Sequence, residues 1–170
     1  MQTRFITALL SIFVFGSTLL KAQPSSPQTI TGTVAFVDRL GDDVLSYETG
    51  DSVYVLVADA DRNVSSSASD TLTVRLRSDK ETTEEALVLN ETGVNTGVFS
   101  GYMRFDATGS LASDGKLQVE RGSELTVRYR DPQDDFGNTT DHTANSFYGM
   151  TVINGGSLAG STTWNPAGSP

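Results

Sequence analysis

The stretch Thr71-Leu72-Thr73-Val74-Arg75-Leu76-Arg77 alternates strictly between polar and apolar residues. Leu72, Val74 and Leu76 point one way along an extended chain, and Thr71, Thr73, Arg75 and Arg77 point the other. A period of two marks a strand with one face on a core and one face in water, because successive side chains leave opposite sides of the pleat. Leu125, Val127 and Tyr129 repeat the pattern against Thr126, Arg128 and Arg130.

The same period extends outward from these two segments. Ile30, Val34 and Phe36 share a face, with Gly32 between them, and Asp42 to Tyr47 reads as a short strand. Val53, Val55 and Val57 alternate with Tyr54, Leu56 and Ala58, which makes that segment apolar on both faces and predicts a central strand. Leu87 and Leu89 form a further segment, and Phe99, Gly101, Met103 and Phe105 another. Leu117 with Val119, and the run Phe147 to Ile153, complete the set. Clusters of Gly, Asp, Asn and Ser separate the segments, and no window carries an apolar stripe of helical period. The expectation is an all-β, immunoglobulin-like antiparallel β-sandwich of 7 to 9 strands over residues 30–153. A closed barrel is the rival architecture.

The N-terminus reads differently. Arg4 precedes an apolar run from Phe5 to Leu20, and Lys21-Ala22-Gln23 follows. A cation, a short apolar core and a small exit residue describe a secretory signal peptide over residues 1–22, cleaved after Ala22. The run is shorter than the roughly 20 residues of a spanning helix. No membrane span is therefore expected in the mature chain. Residues 23–29 read as a flexible Pro- and Ser-rich lead, and residues 154–170 as a flexible Gly/Ser/Pro tail.

The chain of 170 residues has 12 basic and 21 acidic residues and a net charge of −9. Removing Arg4 and Lys21 with the leader makes the mature part more acidic still. Such a surface repels nucleic acid and suits cations. There is no cysteine, which excludes thiolate metal sites, cysteine nucleophiles and lipid attachment through cysteine. The domain is large enough to do without disulfides. An exported bacterial surface protein fits this composition.

Oxygen ligands cluster in two loops. Asp59, Asp61 and Asn63 follow the strand ending at Ala58, and Asp131, Asp134, Asp135 and Asn138 follow the strand ending at Arg130. Ca²⁺ takes six to eight oxygen ligands. If both strand exits lie at one end, Asp59, Asp61, Asn63, Asp131, Asp134 and Asp135 are candidate ligands. The alternative is ordinary turn chemistry, because Asp and Asn side chains cap local backbone. The first cluster is not an EF-hand, since Val64 and Asp70 stand where that loop needs Gly and Glu.

Catalysis is not expected. The single histidine, His142, lies in the polar stretch Asn138 to Ser146, which reads as a solvated loop, and no G-x-S-x-G motif accompanies it. Aromatic residues raise carbohydrate binding as an alternative. Tyr54, Tyr102 and Tyr129 lie within strands, however, where an aromatic usually packs into the core or across strands. Trp164 falls in the tail.

The segments YETGDSVYVLVADADRN, DTLTVRLRSD, LVLNETGVNTGVFSGYMRF and GKLQVERGSELTVRYRDPQDDFGN together resemble an immunoglobulin-like repeat of large secreted and surface proteins of bacteria and archaea. The likeness covers about Asp43 to Asn138, and its most specific element is Glu91-Thr92-Gly93 followed by Thr96-Gly97-Val98-Phe99 and Gly101. It implies a structural or adhesive module and no catalytic residues. The motif itself reads as two tight turns around Val94, with glycine supplying positive φ in each, that is, as a fold-defining corner. The tail VINGGSLAGSTTWNPAGSP is similar to the lead-in of parallel β-helix domains in exported bacterial proteins. The expected role is therefore a non-catalytic extracellular structural or adhesion module. Its expected partners are surface proteins or extracellular glycans. Self-association into filaments by strand addition through Ile30 to Phe36 or Phe147 to Ile153 is a further alternative.

Overall fold

The computed structural model describes residues 30–50, 52–109 and 113–150. The expected leader, the lead 23–29 and the tail 154–170 lie outside the described residues. So do residues 151–153 of the last expected strand.

Among the described residues nine strands form: β1 (Thr33–Val37), β2 (Ser46–Tyr47), β3 (Ser52–Ala58), β4 (Thr71–Ser78), β5 (Glu85–Glu91), β6 (Val98–Asp106), β7 (Lys116–Gln118), β8 (Glu124–Asp131) and β9 (Thr140–Tyr148). One 3₁₀ turn, Ala60–Arg62, is the only helical element among the described residues. The all-β class and the strand count follow the sequence reading. The strands join in one mixed sheet in the order β1-β3-β6-β5-β4-β8-β9-β2, with β7 added beside β6. Most pairs are antiparallel, while β2–β9 and β6–β7 are parallel. The sheet curls: β1 lies against β8 and β9, with which it shares no ladder.

The curl is driven by the alternation. Val53, Val55, Val57, Val74, Leu76, Leu89, Phe99, Leu125 and Val127 are completely buried, and strands from both halves of the sheet contribute to one core. Each such side chain contributes about 1.5–3 kcal/mol relative to exposure. Phe36, Tyr47, Phe105 and Tyr148 form an edge-packed aromatic chain within it.

The last strand differs from expectation. The stretch around His142 is not a solvated loop but most of β9, paired along its length with β8. Its inward positions are Thr140, His142, Ala144, Ser146 and Tyr148. Polar residues in the inward phase hide the period-two signal there.

The pairing registers fix two ends of the sheet. β3, β5 and β8 finish at one end, where β1, β4, β6 and β9 begin. Both acidic loops, the Glu91 to Gly97 turn and residues 30–32 therefore converge there.

Candidate functional site

Three strands run into carboxylates at this end. Asp59 continues the inward phase of Val53, Val55 and Val57; Glu91 continues that of Leu87 and Leu89; Asp131 continues that of Leu125, Val127 and Tyr129. All three are buried, Asp131 completely. A buried carboxylate costs several kcal/mol unless donors replace its water, so the partners of each one decide what it can do.

The partners are mostly backbone N–H groups. Ile30 N–H donates to Asp61 Oδ2 at 2.9 Å, Thr31 N–H to Asp135 Oδ1 at 2.6 Å, and Gly32 N–H to Asp131 Oδ2 at 2.7 Å. Three consecutive amides leading into β1 are thus held by three carboxylates from two loops far away in sequence. Thr31 Oγ1 returns the contact by accepting from the Asp135 N–H at 3.2 Å. Gly32 is needed for close approach. A Cβ there would lie 2.8 Å from Tyr129 Cε1 and 2.9 Å from Asp59 Oδ2.

Asp59 accepts from the Tyr129 hydroxyl at 2.5 Å and from the Asp61 N–H at 2.9 Å. Burial pushes its carboxyl above the usual aspartate range; the tyrosine bond opposes this, and the neighbouring Asp131 charge adds to it. Burial and the bond to Asp59 both push the Tyr129 hydroxyl upward, so the phenol keeps its proton and acts as donor. Asp134 closes its own loop, accepting from Phe136 N–H at 2.9 Å, Asn138 N–H at 2.8 Å and Thr140 Oγ1 at 2.7 Å. The bond from Thr140, then that from Asn138, holds it below the usual range.

The Glu91 turn is the third loop of the cluster, and the acidic pattern alone did not reveal it. Glu91 accepts from Thr96 N–H at 2.6 Å, Gly97 N–H at 2.8 Å and Asp70 N–H at 3.1 Å. These bonds, led by that from Gly97, lower its carboxyl below the usual glutamate range. The positive φ values fall at Asn95 (67°) and Gly97 (64°) rather than at Gly93. The turn docks on the first acidic loop: Asp59 N–H donates to Gly97 O at 2.8 Å, and Asn63 Nδ2 donates to Asn95 Oδ1 at 2.9 Å. A Cβ on Gly97 would stand 3.0 Å from Ala60 Cα.

The six candidate cation ligands therefore do share one end of the molecule, as the strand exits predict. Five are acceptors in the bonds above, while Asn63 uses its amide nitrogen and leaves a buried Oδ1 without a partner. Among the described residues no three His, Cys, Asp or Glu side chains are grouped so as to hold a metal ion. His142 points inward beside this cluster, with Nε2 3.8 Å from Asp131 Oδ2, beyond hydrogen-bond reach. That nitrogen has no hydrogen-bond partner among the described residues.

No protein-family profile matches the chain, and no curated protein shows significant similarity to it.

Proposed function

We propose that the chain is a non-catalytic, exported module of immunoglobulin-like design that serves structural or adhesive ends at a cell surface. The observation that supports this best is the use made of the acidic end. The carboxylates there face backbone amides and a tyrosine, and they close loops and hold the strand lead at Ile30 to Gly32. Among the described residues, His142 Nε2 has no hydrogen-bond partner.

The strand order supports the immunoglobulin-like reading. β1-β3-β6-β5 and β4-β8-β9-β2 are two runs of four whose strand ladders meet at the β5–β4 pair, and both contribute to one core. The signal-like segment and the likeness to bacterial surface repeats support export.

Calcium stabilisation is the second reading, favoured by Asp59 Oδ2 and Asp131 Oδ2 both facing the space beside Gly32. It asks more of the same residues, because a cation bound there competes with the Gly32 N–H and the Tyr129 hydroxyl for lone pairs. A chelator separates the two: the amide clamp predicts a thermal midpoint unchanged by EDTA, and a calcium site predicts a fall.

Beads coated with the full chain test the role itself. They are expected to retain isolated cell-envelope material under flow, while the chain turns over none of a panel of ester, peptide and glycoside substrates. Turnover that disappears in His142→Ala would contradict the proposal.

A further inference from the structure

The outer side of the sheet carries a feature unrelated to the acidic end. Where β3 and β6 pair, Tyr54 stands opposite Tyr102, and Leu56 stands opposite Ser100. The two tyrosine rings lie 5.6 Å apart with their planes tilted by 34°, which gives a shallow, nearly continuous aromatic floor. Tyr102 is 58% exposed, against 2% for Tyr129 in the core. The expectation that a strand tyrosine packs into the core or across strands thus holds for Tyr129 in the core and for Tyr54 and Tyr102 across the ladder, and Tyr102 keeps much of its ring exposed as well.

The floor belongs to an open groove of about 440 Å³, a size within the roughly 300–1,000 Å³ of small-molecule sites. The loop at Asp38 to Gly41 borders it on the β1 side, and Asn90 and Thr92 border it on the β5 side. Asn90 pairs with Ser100 across the β5–β6 ladder, so an amide and a hydroxyl stand together at that lip. Among the described residues, the side chains of Asn90, Ser100 and Arg39 and the hydroxyls of Tyr54 and Tyr102 hydrogen-bond to no other group.

We infer that the Tyr54–Tyr102 groove is a binding site for a neutral pyranose chain, an inference that rests on the adhesive role proposed above and names its ligand. The ring faces carry negative quadrupole density, which attracts the polarised C–H face of a sugar ring. Around them stand both donors and acceptors: the Asn90 amide, the Ser100 hydroxyl and the two phenols. A pyranose presents hydroxyls that use both kinds of group. An extended proline-rich peptide, the other occupant that suits an aromatic groove, offers chiefly carbonyl acceptors there. The lining carries one acidic and one basic residue, Asp38 and Arg39, so its formal charge is zero, which suits a neutral sugar.

Native affinity electrophoresis of the full chain, in gels cast with soluble β-glucan, galactomannan or xyloglucan, measures the interaction. The wild type is expected to be retarded in at least one. Tyr102→Ala removes a ring that is 58% exposed and is expected to weaken retardation about tenfold, with a cooperative melting curve whose midpoint falls only slightly from loss of the Tyr54 pair. Asn90→Ala, on the exposed rim, is expected to weaken it about threefold. No retardation in any gel, or equal retardation of wild type and both variants, overturns the site. Binding of a decaproline peptide that depends on Tyr102, without retardation by any polysaccharide, also overturns it in favour of a peptide groove. If coated beads of wild type and Tyr102→Ala hold envelope material equally well, the groove fails while the adhesive role stands.

Discussion

Glu91, the last residue of β5, and Glu81, in the loop between β4 and β5, are both buried glutamates, and they sit at opposite ends of the same sheet. They titrate in opposite directions. Glu91 receives three backbone N–H groups and is held below the usual glutamate range. Glu81 receives one backbone N–H, from Gln118 at 3.0 Å. The Gln118 amide, oriented with its nitrogen toward Glu81, donates to both carboxylate oxygens, to Oε1 at 3.0 Å. Burial, together with the hydrogen bond and charge of the neighbouring Glu85, pushes the Glu81 carboxyl up. Two glutamates of similar low exposure thus shift in opposite directions: burial and an acidic neighbour dominate at Glu81, and backbone N–H groups outweigh burial at Glu91.

This contrast has a pH signature. Glu91 and Asp134, with depressed folded values, contribute stability above their unfolded values near 4.5 and 3.8. That contribution is lost as pH falls through the folded values. Glu81, raised above 4.5, contributes most below that pH and loses its contribution as pH rises through the folded value. Acid thus removes the contributions of Glu91 and Asp134, while neutral pH burdens Glu81 and, within the clamped end itself, Asp59.

Substitutions sharpen the comparison in order of size. Gly97→Ala forces a Cβ into the left-handed region, 3.0 Å from Ala60 Cα. Backbone cannot yield as a flexible side chain can, so a loss of about 3 kcal/mol is expected in urea denaturation. A loss below about 1 kcal/mol would mean that the Glu91 turn does not dock as described. Asp131→Ala strips the acceptor from Gly32 N–H and Gln133 N–H and is expected to cost about 2 kcal/mol. Tyr129→Phe removes one donor from Asp59 at about 1 kcal/mol, and the loss should shrink as pH falls and Asp59 takes up a proton. At the far end the sign reverses. Glu81→Gln keeps a hydrogen-bonding amide and removes the charge, so its thermal midpoint should exceed the wild type at pH 7, with the gain fading toward pH 4. A lower midpoint at pH 7 would break the contrast.

Much of this was legible in the sequence, for one reason. Where inward residues are apolar, as in Val53 to Val57 or Leu72 to Leu76, the period of two is visible and the strands fall where it puts them. Where inward residues are polar, as in Thr140, His142 and Ser146, the period disappears and β9 reads as a loop. The convergence of the two acidic loops was also legible, since strand exits of matching direction share an end. Their use was not. Asp59, Glu91 and Asp131 extend the apolar phase of their strands by one more inward position, and that is the signal for a buried acceptor. Their partners, the amides of residues 30–32 and 96–97, carry no side-chain signature at all. Tyr102 shows the converse limit: its phase, opposite to that of Phe99, Gly101 and Met103, puts it on the outer face, but the alternation does not say that a groove lies there.

Amide hydrogen exchange at Gly32, followed by NMR in EDTA and again with added Ca²⁺, tests the carboxylate clamp most directly. The clamp predicts strong protection of that N–H, equal in both conditions and lost in Asp131→Ala. Exchange at the free-peptide rate in EDTA, or protection that appears only with Ca²⁺, would contradict it.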